Sequence, residues 1–267
     1  MAIVDVHAHL DTVENAEVLL ESAYKQGVRD IIINTLDPSS FERAERFVHE
    51  HTKSGVRLHL ACGLYPVNAL RADIASGFVR EARIDMHEAE ALARTKRIIA
   101  IGEIGLDFRY ATSPDERVED ERAFIHMLGV ARELRLPAII HSRKAEERVV
   151  ELLAGVDVPC VLHAFSGKLR TLERALENPQ VYFSIPLIVC HSEQVRGYVQ
   201  RIPLDRLLTE TDCPFMPLKG KALSEPGDIR NAIRAIAAIK DIDTREAERL
   251  LYVNAERVFA ITEAQTI

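Results

Sequence analysis

Two histidines, His7 and His9, stand two residues apart at the end of the chain's first apolar run, in IVDVHAHL (3–10). In an extended strand, residues two apart point to the same side. Both imidazoles therefore face one way at the strand's C-terminal edge, and neutral imidazole is the commonest side-chain metal ligand. Two polar residues where a strand meets solvent would look the same, so other strand ends have to decide. Glu103 closes a later apolar run in IGEIGLD, His141 closes another in PAIIHSR, and His163 another in PCVLHAFSGK. Glu210 and Asp212 stand two apart in LLTETDCP, as the opening histidines do.

That set suits a binuclear metal centre. A carboxylate has two oxygens and can bridge two divalent ions, and Glu103 is the bridging candidate. His7, His9 and Asp212 would hold one ion, and His141 and His163 the other. Mixed imidazole and carboxylate ligands fit zinc, manganese or magnesium, and the ligand set alone does not choose among them. Two such ions, about 3.5–4 Å apart, activate water and clamp both attacking and leaving oxygens. Glu210 or Asp212 would take the proton from the water and pass it to the leaving group.

The elements that must position these residues are legible as an alternation. Eight strand-like runs are AIVDV (2–6), DIIIN (30–34), RLHLACG (57–63), RIIAIGE (97–103), PAIIH (137–141), PCVLH (159–163), VYFSI (181–185) and RLLTE (206–210). Several are almost continuously apolar, as strands buried on both faces are. Between them lie amphipathic stretches at 16–27, 37–51, 76–96, 113–136, 168–179, 193–203, 227–241 and 243–261. Gly27 is a C-cap candidate, and Ser113-Pro114 is a good N-cap and first-turn pair. The pattern predicts a single α/β domain over 1–267, a closed (β/α)8 TIM-type barrel, for which 267 residues is near the usual ~250. A doubly wound open sheet shares the alternation, because periodicity does not show closure. In both folds the functional face lies at the strands' C-terminal ends, where the seven residues fall.

Composition narrows the class. Hydrophobic residues are 47% and charged residues 28%, ordinary for a globular chain. No stretch approaches the ~18 apolar residues of a membrane span, and no leader precedes the first strand pattern, so a cytoplasmic protein is expected. Cys62, Cys160, Cys190 and Cys213 are scattered and read as reduced packing residues. A formal net charge of −7 is a poor surface for coating long nucleic acid, although it leaves room for a local cationic pocket.

In these pieces the chain resembles the TatD-like metal-dependent deoxyribonucleases, a branch of the amidohydrolase-type barrels. The matching segments are DVHAHL (5–10), GEIGLDF (102–108), HSR (141–143), HAFSG (163–167), LLTETDCP (207–214) and VNAERVF (253–259), in the family's order. The resemblance implies a (β/α)8 barrel with two divalent ions and hydrolysis of phosphodiesters, often from a DNA 3′ end. It carries the metal positions onto His7, His9, Glu103, His141, His163 and Asp212. Two segments depart from the family's pattern. Its third-strand motif usually reads GxHPH; here it is GLYPV (63–67), with Tyr65 and Val67 in place of the two histidines. The Asn-containing loop after the last strand here reads SEPGD (224–228). Both departures lie on the substrate side. A tyrosine still donates a hydrogen bond to a phosphate oxygen but carries no positive charge.

Arg143 could pair bidentately with a phosphate or anchor a carboxylate. Lys168 reads as a solvated helix-start lysine, and Asp107 as a residue that ties down its own loop. Asp5 is given no catalytic role. Phe108, Tyr110 and Phe165 could stack a base or simply pack the barrel top. Of the remaining histidines, His49, His51, His87 and His126 read as surface residues and His59 as a satisfied interior one. His191 is the one near the active rim. DNA or another phosphoester is the leading substrate class. A small amide, ester or lactone is the alternative, favoured by GLYPV and the acidic charge. A non-catalytic, metal-holding barrel is the third reading. No membrane partner is expected, and the oligomeric state stays open.

Overall fold

The computed structural model describes residues 2–66 and 79–261. Its strands are β1 (Ile3–Ala8), β2 (Val28–Asn34), β3 (Arg57–Cys62), β4 (Ala100–Asp107), β5 (Ala138–Arg143), β6 (Cys160–His163), β7 (Val181–Ile185) and β8 (Leu207–Thr209). They run in chain order through one eight-stranded sheet, and Ala8 of β1 forms a parallel bridge with Cys213 just past β8. A doubly wound sheet would break chain order at a switch point. Parallel strands in unbroken order, with the first beside the last, are those of the (β/α)8 class. Among the described residues, no helix is long and apolar enough to cross a membrane.

The described helices are α1 (Ala16–Lys25), α2 (Pro38–Glu50), α3 (Val79–Thr95), α4 (Pro114–Leu134), α5 (Glu146–Leu152), α6 (Leu169–Leu176), α7 (Glu193–Arg201), α8 (Ile229–Lys240) and α9 (Thr244–Phe259). α5 is absent from the sequence expectation. It spans only seven residues, and its N-cap is Ala145, whose side chain offers no capping bond, so neither period nor cap announces it. Strand limits also differ. β1 runs on through His7 to Ala8, and β4 through Glu103 to Asp107. β8 stops at Thr209, one residue before Glu210. Val67 and residues 76–78 lie outside the described residues.

The chain's contacts group into two compact units, the first comprising Met1–Ile33, Glu45–His59 and Tyr182–Ile267. Its strands are apolar and buried, with Val6, Ile31, Ile32, Phe183, Leu207 and Leu208 all removed from solvent. α8 buries Ile229, Ile233 and Ile236, while α9 buries Leu251, Val258 and Phe259 and packs on β1 and β8. Asp30 is among the carboxylates sealed in this unit. Asp30 on β2 has no solvent exposure and accepts from Arg57 Nε and Nη2, both at 2.7 Å, and faces His59 Nε2 at 2.8 Å. His59 is thus the satisfied interior histidine that its mid-strand position suggests.

The second unit comprises Asn34–Ala44 and Leu60–Val181. In it β4 pairs with β5 so that Gly105 stands opposite His141 and Asp107 opposite Arg143. α4 starts as its sequence predicts. Ser113 Oγ accepts from Glu116 N at 3.2 Å, Glu116 Oε2 accepts from Ser113 N at 2.8 Å, and Pro114 opens the first turn. Two glycines permit the close backbone approach around β4. A Cβ at Gly63 would lie 2.2 Å from Glu103 N and 2.4 Å from Glu103 O. One at Gly105, where φ is +145°, would lie 2.0 Å from His141 O.

These contacts carry two stability predictions. Burial works to raise the Asp30 carboxyl, but His59 and Arg57 outweigh it and hold it below its ordinary value. Its folded pKa is therefore below the unfolded ~3.9, so its contribution is present above about pH 4 and lost as pH falls through the folded value. Asp30→Asn is expected to lower unfolding free energy by about 3 kcal/mol at pH 7, with the gap to wild type narrowing below pH ~4. Urea unfolding across pH checks both; a gap that widens on acidification contradicts the assignment. Gly63→Ala is expected to cost about 2–3 kcal/mol as overpacking against backbone that has no free side-chain end to move, read from the same unfolding curves.

Candidate metal centre

In the first unit the end of β1 and the segment after β8 are locked together by main-chain bonds. Asp212 N donates to His7 O at 2.9 Å, and His9 N donates to Cys213 O at 2.7 Å. Asp212 itself takes a left-handed conformation, φ +54°, which turns its side chain back toward the histidines. His7 Nε2 and His9 Nε2 stand 3.2 Å apart, and each lies 3.6 Å from Asp212 Oδ1. The two imidazoles do face one way, although His7 is within the strand and His9 just beyond it. Glu210 is fully buried, takes a short hydrogen bond from the Ser184 hydroxyl, and offers a ligand atom within 4.8 Å of one from His7.

Asp5 braces this arrangement from behind. Its Oδ1 accepts Thr211 N at 3.0 Å, and its Oδ2 accepts the Thr211 hydroxyl. Burial outweighs those bonds and pushes its carboxyl up to about 7. Asp5 therefore positions Thr211, the residue between Glu210 and Asp212.

In the second unit Glu103, His141 and His163 offer ligand atoms all within 4.8 Å of one another. Glu103 is 3% exposed and lies mid-strand rather than at a strand end. Its N–H donates to Thr35 O at 3.0 Å, and the Thr35 hydroxyl donates to Ala61 O at 2.9 Å, tying the carboxylate's backbone to β3. His141 Nδ1 faces Glu103 Oε1 at 3.1 Å. The His163 ring stacks near His141, centroids 6.3 Å apart.

Behind His141 sits Asp107. Its Oδ2 lies 3.3 Å from His141 Nε2, and its Oδ1 accepts Arg109 N at 2.9 Å. The loop-tying role expected of Asp107 is present, and a second role accompanies it. A ligating histidine is oriented by a carboxylate on its other nitrogen, and Asp107 stands where it would do this were His141 a ligand. The missed signal was strand length: with β4 extended to Asp107, Glu103 and Asp107 fall an even number of residues apart. Tyr65 OH completes the group, 3.4 Å from both Asp107 Oδ2 and His141 Nε2. Burial first, then the charges of Glu103 and Asp107, push the phenol well above its ordinary value, so it is a neutral donor. Arg143 is exposed at the end of β5, and its charge helps hold Asp107 low.

These residues fit a divalent cation. Ligand atoms ~2.0–2.1 Å from a tetrahedral zinc stand about 3.3 Å apart, and the His7, His9 and Asp212 separations of 3.2, 3.6 and 3.6 Å bracket that value. The second group fits by its electrostatics. Burial works to lower the His141 pKa, yet hydrogen bonds to Asp107 and Glu103 outweigh it and hold the imidazole above its ordinary value. A field that draws a proton onto that ring also draws a cation beside it. The described cysteines are not ligands here: Cys62, Cys160 and Cys213 are buried and unbridged, and burial pushes the first two up to about 12.

The chain is similar to known proteins over nearly its whole length. The family described as TatD related DNase matches residues 4–260. The chain is 30% identical to an uncharacterized metal-dependent hydrolase, YabD, of Bacillus subtilis, covering 96% of this chain and 98% of that one. It is 29% identical to the deoxyribonuclease TATDN3 of Homo sapiens, covering 97% and 95%. Its fold is like that of YJJV, a TatD homolog from Escherichia coli, with a TM-score of 0.83 at 23% identity over 97% of this chain and 98% of that one. With the match spanning both donor groups, the chain belongs to the TatD related DNase family and is a metal-dependent hydrolase.

Proposed function

We propose that this hydrolase is a two-metal phosphodiesterase that shortens DNA from its 3′ end. The observation that carries the reading is a pair of three-donor groups, His7–His9–Asp212 and Glu103–His141–His163, each drawn within its own unit from residues of the strands or from just beyond their C-terminal ends. In a (β/α)8 barrel those ends form one functional face. In this reading His7, His9 and Asp212 would hold one ion and His141 and His163 the other, with Glu103 as the carboxylate candidate to serve both. Zinc, manganese and magnesium all suit such donors. When bound, the ions supply Lewis acidity and positive charge toward a phosphoryl group.

The chain's own residues do the rest. Asp107 keeps a proton on His141 Nε2 and so leaves Nδ1 as the ligand atom beside Glu103. Glu210, fixed through one oxygen by Ser184, is the acceptor for the proton of the attacking water, and Asp212 is the second acceptor of the reading. Tyr65 gives its phenolic hydrogen bond to a substrate oxygen, and Arg143 pairs with a phosphate at the open end of β5. One observation favours a second reading, a small amide, ester or lactone substrate: Tyr65 puts a neutral donor where the family's motif has histidine, weakening the field for an anionic phosphate.

Stripping the protein with chelator should abolish shortening of 5′-labelled single-stranded DNA, and Mg²⁺, Mn²⁺ or Zn²⁺ should restore a ladder receding from the 3′ end. Glu103→Gln and Asp212→Asn should stay inactive under every metal. A restored ladder receding from the 5′ end overturns the polarity. Bound metal with turnover of small esters or amides alone moves the substrate to the second reading. Asp107→Asn is expected to lower metal affinity about 10–100-fold, read by equilibrium dialysis; unchanged affinity removes its role behind His141.

A further inference from the structure

We infer that the cleft formed by the loops after β4, β5 and β6 is a track for the backbone of a single-stranded polynucleotide, with Lys144 and Lys168 contacting phosphates and Phe108 offering a stacking edge. The inference rests on the nuclease reading and adds to it a second contact region beside the Glu103–His141–His163 group. The cleft has a volume of about 350 Å³ and is lined by Phe108, Lys144, Glu146, Arg148, Gly167 and Lys168 among others. That is within the ~300–1,000 Å³ of ordinary ligand sites. It belongs wholly to the second unit. Lys144 follows His141 by three residues and Lys168 follows His163 by five, so the lining leaves the metal-binding strands directly.

Most of the charges around it are already committed. Arg148 pairs with Glu121 at 2.8 Å and with Glu151 at 3.1 Å. Glu147 accepts from Arg170 at 2.9 Å, and Glu146 accepts from the Ser166 hydroxyl at 2.8 Å. Lys144 and Lys168 are exposed and form no ion pair among the described residues. They are therefore the two cations left to meet an anion. Phe108 is half-buried, and the Arg117 guanidinium lies 4.8 Å from its ring centroid, bracing it from one side. The floor is close-packed: a Cβ at Gly167 would lie 2.5 Å from Cζ of the buried Phe165. Cations along a groove and an aromatic ring on which a base can stack are what a sequence-tolerant single-strand site uses. Such a local patch is compatible with a formal net charge of −7, since steering depends on where charge is concentrated.

The test is fluorescence anisotropy of a labelled eight-nucleotide oligothymidylate on the full chain in chelator, where no cleavage proceeds, over a range of salt. Two phosphate contacts on a single strand account for about 1.4 of the slope of log K against log salt. The Lys144→Ala, Lys168→Ala double variant should lose about that much slope and bind roughly fivefold or more weakly at low salt. A Lys96→Ala control, at the opposite end of β4, should match wild type. In the metal-loaded protein, wild-type KM should fall as the oligonucleotide lengthens from two to eight nucleotides, and the double variant should lose that dependence. Equal slopes in wild type and double variant, or no oligonucleotide binding by wild type, overturn the track. Failure of the nuclease reading shows separately, as absent metal-restored cleavage at every length.

Discussion

The site depends on holding imidazole lone pairs and carboxylate oxygens together out of water, with each donor aimed from behind. His7 Nε2 and His9 Nε2 are 3.2 Å apart and face a single oxygen of Asp212. Such a group is costly to bury unless a cation or a proton sits among the donors. Several of the donors are braced by groups outside the cluster. Asp5 grips Thr211 by both N–H and hydroxyl, and the His7 carbonyl grips Asp212 N, so the backbone that carries the carboxylate is fixed. Asp107 stands behind His141, and Thr35 behind Glu103. The glycines at 63 and 105 serve the same end, because they let neighbouring backbone press against β4 where a side chain would force it apart.

What was legible in the sequence follows from which forces leave a periodic trace. Runs such as AIVDV and PCVLH are buried on both faces, so they announce strands by composition and mark where the chemistry must begin. The HxH pair needs only the two-residue period of a strand, and its shared direction was readable. Ser113-Pro114 carries a helix start in its own chemistry. Strand ends were less legible. A strand buried on both faces lacks polar alternation to mark its limit, and glycines at 102 and 105 interrupted the apolar run of β4 while the strand continued to Asp107. Placing the strand's end at Glu103 hid the relation between Glu103 and Asp107. Helix α5 was invisible for a different reason: seven residues without a side-chain cap are held by packing of Val149 and Val150 rather than by local signal.

The two sides of the site are built from different materials, and this explains why they transfer differently from the family. The candidate metal donors are buried or, for His141, half-buried, and the bracing around them is main chain or sealed carboxylate, so a change there disturbs several bonds at once. In the proposed reading the substrate side lies toward the loops. Tyr65 replaces a histidine at the price of a positive charge but keeps a hydrogen-bond donor in place, 3.4 Å from Asp107. Arg143 at the end of β5, Lys144 just after it and Lys168, five residues past the end of β6, are all exposed. Barrels vary substrate by altering these loops while the strands stay constant. A chain with every metal-type residue present and a changed third-strand motif is what that division produces: one chemistry at the strand ends, aimed at a substrate whose fit is decided by side chains a few residues further on.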